Sequence, residues 1–201
     1  MKLFNTLKMK TTTATIAFLT TAGIASAHTN VLEHGGLMEG VLHPFTGLDH
    51  LLAMLVLGIW AYQRGGRQIW SLPVVFLGGM TLGLVSGIQG GYLPLVETWV
   101  ASSVFILGVL ISARSQLPQW ASYAMTGAFA FFHGHAHGSE IQPDTQLLFW
   151  SLGALISAAI LHGIGIGSGH LFRNQQGQRI TRVLAILAAV AGIALTASTI
   201  G

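Results

Sequence analysis

Six long apolar runs, at roughly 37–61, 69–89, 94–113, 119–137, 145–168 and 180–200, take up most of this 201-residue chain. A helix crossing a hydrocarbon core of about 30 Å needs about 20 mainly apolar residues, and each run comes close to or exceeds that length. Short turn segments separate them: Arg64-Gly65-Gly66-Arg67, Gly90-Gly91-Tyr92, Leu117-Pro118, Gln142-Pro143-Asp144, and Asn174 to Gly177. None could fold as a domain of its own. A transmembrane β-barrel would instead show segments of about 10 residues with alternating polarity. The expected fold is therefore all-α, a polytopic bundle of six membrane helices. Only 7% of the side chains are charged, against roughly 25% in a domain whose surface must be wetted. Lipid is thus the expected solvent for most of this surface. That excludes an ordinary cytosolic enzyme, a disordered tail and a nucleic-acid binder.

Residues 1–27 read as a cleaved signal peptide. Lys2, Lys8 and Lys10 form a basic n-region, an apolar run from Ala14 to Leu19 follows, and Ala25-Ser26-Ala27 supplies the small-residue cleavage site. Residues 28–201 are then one six-helix membrane domain. The formal charge of +3 belongs to the leader, because losing three of nine basic residues leaves six arginines against six acids. Those arginines all fall on one predicted side: Arg64 and Arg67 after the first span, Arg114 after the third, and Arg173, Arg179 and Arg182 before the sixth. The positive-inside rule makes that side cytoplasmic and places both mature termini outside. Glu97, Glu140 and Asp144 lie toward the opposite side. Glycines spaced as Gly79, Gly83 and Gly87, and as Gly163, Gly165, Gly167 and Gly169, predict close helix contact within the bundle or between copies of the chain. Cysteine is absent, so no disulfide or thiolate metal site exists.

The chemistry is expected at the nine histidines, all of which lie after the leader. Ionisable groups at membrane depth are costly and normally face a partner or a cavity. The first span carries His43-Pro44-Phe45-Thr46-Gly47-Leu48-Asp49-His50. On a regular helix His43 and His50 share a face about 10.5 Å apart along the axis, too far to chelate one ion with bonds near 2.0–2.1 Å. A break at Pro44 and Gly47 would close that gap; otherwise the two histidines serve successive stations on a path. Asp49 either ligates directly or accepts the Nδ1 proton of a ligating histidine.

The fourth span ends in His133-Gly134-His135-Ala136-His137-Gly138-Ser139-Glu140. His133 and His137 share a helical face at a chelating spacing, with Glu140 a turn further on. His135 either points the other way or is a solvated loop residue. His162 sits at membrane depth in the fifth span, where a lone buried histidine is usually just hydrogen-bonded. His170 lies nearer the cytoplasmic end, and His34 precedes the first span. Cleavage would make His28 the N-terminus, so its α-amine and imidazole could chelate together. Imidazole with carboxylate and no thiolate suits Ni, Co, Zn or Mn, and acid should weaken such a site by protonating its ligands. No P-loop motif is present.

The run from His43 through His50, with Leu51-Leu52-Ala53-Met54 and Gly58-Ile59-Trp60-Ala61, resembles the first-span signature of the HupE/UreJ family of nickel/cobalt permeases. Phe132-His133-Gly134-x-Ala136-His137-Gly138-x-Glu140 is similar to that family's fourth-span signature, and Leu161-His162 to its fifth-span element. The resemblance implies uptake of divalent nickel or cobalt across a bacterial inner membrane, supplying hydrogenase, urease or cobalamin. It gives the metal-handling role to His43, Asp49, His50, His133, His137 and Glu140, while His135 and Ser139 fall at variable positions. The ion is cargo, so no permanently bound cofactor is expected. The partners implied are the divalent ion and the bilayer, with a homo-oligomer as a further arrangement. The rival classes are a membrane metallohydrolase, a bis-histidine haem protein and a metal sensor without transport.

Overall fold

A computed structural model describes residues 36–142 and 145–200. The leader, His28, His34 and the Pro143-Asp144 pair lie outside them. Among the described residues every regular element is helical. The helices are α1 (Leu37–Leu42), a 3-10 turn (His43–Phe45), α2 (Leu48–Arg64), α3 (Gln68–Ile88), α4 (Val96–Ser112), α5 (Gln119–Glu140), α6 (Leu147–Leu171) and α7 (Gln175–Ser198).

The run expected as one first span is two helices bent by 85° at the break. Pro44 lies within the 3-10 turn and Gly47 is extended at the start of α2. Proline lacks the N–H that an uninterrupted helix would use, so the axis turns where the sequence predicts.

Three helices, α3, α6 and α7, are long and apolar enough to cross a membrane, and the bent pair α1–α2 makes a fourth if taken as one span. Helix α4 is apolar but has 17 residues. Helix α5 has 22 residues, but histidine, serine and glycine dilute its apolar content. The two elements that depart most from a simple span are thus the short α4 and the helix that carries the histidines.

Helix α3 packs along α5, α4 along α7, and α2 along α6. Backbone contacts set these pairs. A Cβ on Gly134 of α5 would fall on the Met80 carbonyl oxygen of α3, and one on Gly58 of α2 would fall on the His162 carbonyl oxygen of α6. Of the glycines expected at close contacts, Gly79, Gly83 and Gly87 of α3 lie against α5 and Gly165 and Gly169 of α6 against α2, whereas Gly163 and Gly167 have open space in front of them. Trp60, Phe76, Met54, Leu72, Met80 and Leu107 fill the centre. Large apolar side chains face outward instead, with Val74 and Leu82 each 67% exposed, as expected where lipid rather than water surrounds the bundle.

Charge separates by end. The carboxylates of Asp49, Glu97 and Glu140 line one cleft. Arg114 and Arg173 line a cavity with Gln116 and Gln178, far from those acids. Arg64 ties the second end together, donating to Gln68 Oε1 at 2.9 Å, Gln116 Oε1 at 3.0 Å and the Leu117 carbonyl. These link the end of α2 to α3 and to the α4–α5 connection. Hydrogen bonds from a charged donor contribute more than neutral ones. Arg64→Ala is therefore expected to lower stability by about 2 kcal/mol, read as a lower melting temperature in detergent.

Candidate metal centre

His43 begins the 3-10 turn at the end of α1, and Thr46 Oγ1 donates to its carbonyl at 2.7 Å. One turn on, in the first turn of α2, Asp49 Oδ1 accepts the His50 backbone N–H at 2.8 Å and the Nδ1–H of the same residue at 3.0 Å. A Cβ on Gly47 would sit 2.9 Å from that carboxylate oxygen and 3.1 Å from His50 Nδ1, so a glycine there leaves the pair its room. The Asp49 contact settles the tautomer. With Nδ1 donating, His50 Nε2 carries the lone pair, and this buried nitrogen has no partner. Asp49 thus holds the His50 ring as a carboxylate that orients a histidine does, while also lining the cleft beside it.

Helix α5 brings the second set. His133 Nδ1 donates to the Phe129 carbonyl at 2.8 Å, one helical turn back, which leaves its buried Nε2 unpaired. His137, one turn further along the same face, is 1% exposed and has no partner at either ring nitrogen. A buried polar atom without a partner costs about 1–3 kcal/mol. Four such nitrogens on three neighbouring rings mark a place built for something other than packing.

The bend brings the two sets together. The His137 ring lies 4.8 Å from that of His43 and 4.4 Å from that of His50, and His50 lies 5.1 Å from His133. His43 Nε2 donates to Glu140 Oε2 at 3.0 Å. His43, His137 and Glu140 each offer a ligand atom within 4.8 Å of the others. Ligand atoms on a tetrahedral ion with 2.0–2.1 Å bonds stand about 3.3 Å apart, so a small rotamer change closes the set. Above it is a cleft of about 280 Å³ lined by His43, Asp49, His50, Glu97 and Glu140.

The remaining histidines divide. His162 is 1% exposed with both nitrogens unpaired. The usual fate of a lone buried histidine, a hydrogen bond, is not what the structure gives it. Its aromatic contact is Phe76, at 4.9 Å, and the same ring touches His133 at 5.5 Å. It therefore stands apart from the four-imidazole group. His135 is not a solvated loop residue. It continues α5, is 4% exposed and meets Ser86 Oγ at 3.3 Å, facing α3 and away from the cluster. His170 lies at the arginine end, 3.5 Å from the Tyr62 hydroxyl.

Two neighbours escaped the sequence reading. Glu97, in the first turn of α4, lines the cleft. Its signal was available, since it is an acid on the same predicted side as Glu140. Trp150 of α6 packs on His43 at 4.8 Å and approaches His137 at 6.1 Å. Nothing in its sequence neighbourhood marks that role.

A helical bundle with outward apolar faces, and with histidines and carboxylates gathered at one end, has the architecture of a membrane protein. The chain matches the family model described as HupE / UreJ protein over residues 16–195 and belongs to that family. It is 39% identical over 189 residues to Protein HupE of Rhizobium leguminosarum bv. viciae, a match covering 94% of this chain and 98% of that relative. No solved structure matches it.

Proposed function

We propose that the protein is an inner-membrane permease for divalent transition-metal ions, Ni²⁺ or Co²⁺, and not an enzyme. The observation that carries this reading is the set of buried imidazole nitrogens without partners, gathered round His137 beneath an acidic cleft. In this reading the leader is cleaved, six spans cross the membrane, and both mature termini lie outside. The segregation of carboxylates to one end and arginines to the other supports that orientation.

The acidic cleft draws the hydrated cation in. His43, His137 and Glu140 replace its water first, and His50 and His133 take it over through the shared His137. Glu140 and Asp49 offset the two positive charges in a setting where lipid offers none. His162 is a deeper station, with Phe76 in contact with both it and His133. His28 captures the ion outside through its amine and imidazole. Binding at each stage has to be weak enough to release, the general requirement for conduction.

Purified protein in liposomes should accumulate radiolabelled nickel, and unlabelled cobalt should compete better than magnesium or calcium, which prefer oxygen ligands. Uptake no faster than in protein-free liposomes would sink the reading. Within it, Asp49→Ala should weaken nickel binding 10- to 100-fold, the usual effect of losing the partner that orients a ligating histidine. Asp49→Asn, whose amide oxygen still accepts from His50 Nδ1, should lose less; titration calorimetry on both variants checks the difference.

A further inference from the structure

The end of the bundle opposite the histidine cluster holds a second cavity of about 360 Å³, formed where α2, α6 and α7 meet the α4–α5 connection. Its polar lining includes Gln63, Arg114, Gln116, Arg173, Gln178 and Thr181. It contains no carboxylate. The two carboxylate ion pairs among the described residues both involve histidines at the other end. His50 and Gln63 are thirteen residues apart on α2, which puts about 20 Å of helix between the two regions. The arginines here make do with neutral acceptors. Arg64 uses Gln116 and a main-chain carbonyl, and Arg114 donates to the Gln178 amide oxygen. Gln178 is itself held by a 2.8 Å bond from its Nε2 to the Arg173 carbonyl, which pins the Arg114 guanidinium at the cavity.

The backbone supplies a second, independent observation. Helix α4 closes with Ser115 N–H on the Leu110 carbonyl at 3.0 Å and Arg114 N–H on the Ile111 carbonyl at 3.1 Å. That closure needs its penultimate residue in the left-handed region, a place normally filled by glycine. The chain follows the rule after α3, where Gly91 N–H meets the Ser86 carbonyl at 3.2 Å, Gly90 N–H meets the Gly87 carbonyl at 2.9 Å, and the residue at φ +71° is Gly90. After α4 the residue is Arg114, at φ +51°. An arginine kept where glycine would fold more easily, its head group fixed at a cavity with no acid, is a local rule broken in favour of the side chain.

We propose that this cavity is a binding site for a phosphate-bearing anion, with Arg114 and Arg173 as its charged donors. Two guanidiniums offer planar, forked N–H groups matched to phosphate oxygens, and the uncompensated charge disfavours a divalent cation. In a membrane two sources carry that chemistry: the head group of an anionic phospholipid in the leaflet at this end and free phosphate in the adjoining aqueous phase. The proposal does not depend on which metal the other end handles, or on transport.

The test uses the full chain purified in a neutral detergent. Thermal unfolding is followed while phosphatidylglycerol, phosphatidylcholine or inorganic phosphate is added, for wild type, Arg114→Gly and Arg173→Gln. Arg114→Gly suits its backbone position, so it should fold at least as well as wild type and separate binding from folding. Phosphatidylglycerol or inorganic phosphate should raise the wild-type melting temperature, whereas phosphatidylcholine should not. The apparent affinity should fall at least tenfold in each variant. A response to the lipid alone assigns the site to a head group, and a saturable response to inorganic phosphate that competes with the lipid assigns it to the free anion. An equal response in wild type and both variants, or no response to either ligand, overturns the proposal.

Discussion

Replacing His137 by alanine should reduce nickel accumulation, in cells and in liposomes, to the level seen without the protein. His137 is the ring on which the site converges. It lies within 5 Å of the rings of both His43 and His50, and neither of its nitrogens has a protein partner. Its loss leaves His43 with Glu140 on one side and His50 with His133 on the other, with no shared ligand. The protein itself should survive the change. Truncating a buried ring leaves a cavity, which costs stability, but it also removes two buried polar atoms that cost about 1–3 kcal/mol each while unpaired. These effects oppose each other at similar size, so membrane insertion and melting temperature should stay near those of wild type. Lost uptake with an intact fold would place the defect at the site. Accumulation undiminished in His137→Ala would refute the reading, whatever other variants did. His43→Ala should behave alike, since it removes the ligand that meets Glu140.

Gly134→Leu should destabilise the protein more than any substitution at the metal cluster. The pro-side-chain position of Gly134 is occupied by the Met80 carbonyl oxygen, with the Leu84 backbone nitrogen 2.8 Å away. Both are main-chain atoms of α3, which cannot swing aside as a flexible side chain can. Helices α3 and α5 would have to separate along their contact, and overpacking of that kind costs about 3 kcal/mol or more. The expected result is a large fall in melting temperature and in the fraction of monodisperse protein after extraction. Gly127→Leu is the matched control on the same helix. Its added Cβ would meet only a Val75 methyl at 3.7 Å, an ordinary contact. Equal stability of the two variants would show that the α3–α5 contact is looser than its backbone approach implies.

Most of the candidate centre could be read from residue order because the residues concerned violate the rules of their surroundings. Imidazoles and carboxylates in an apolar stretch stand out, and i, i+4 spacing puts His133 and His137 on one face however the helices pack. Pro44 and Gly47 announced the bend, since a missing N–H interrupts a helix locally. Two things escaped. Trp150 and Phe76 reach the cluster from α6 and α3, and an aromatic residue in a membrane helix has nothing local to say which neighbour it meets. The face taken by His135 was open because the flanking glycines left the backbone geometry undetermined; contact with Ser86 decides it.

The sequence by itself determined that the chain is helical and lipid-facing, where its interruptions fall, and which side chains must escape the lipid. Those properties depend on composition and on spacing of a few residues along one backbone. Only the tertiary structure decided that His43, His50, His133 and His137 form one group and that His162 lies apart from it against Phe76. It also decided that Arg114 and Arg173 share a cavity with no acid. Each of these depends on how far the bend swings α1 against α2 and how closely α3 meets α5. Such distances are set by contacts between residues far apart in the chain, which local periodicity does not encode.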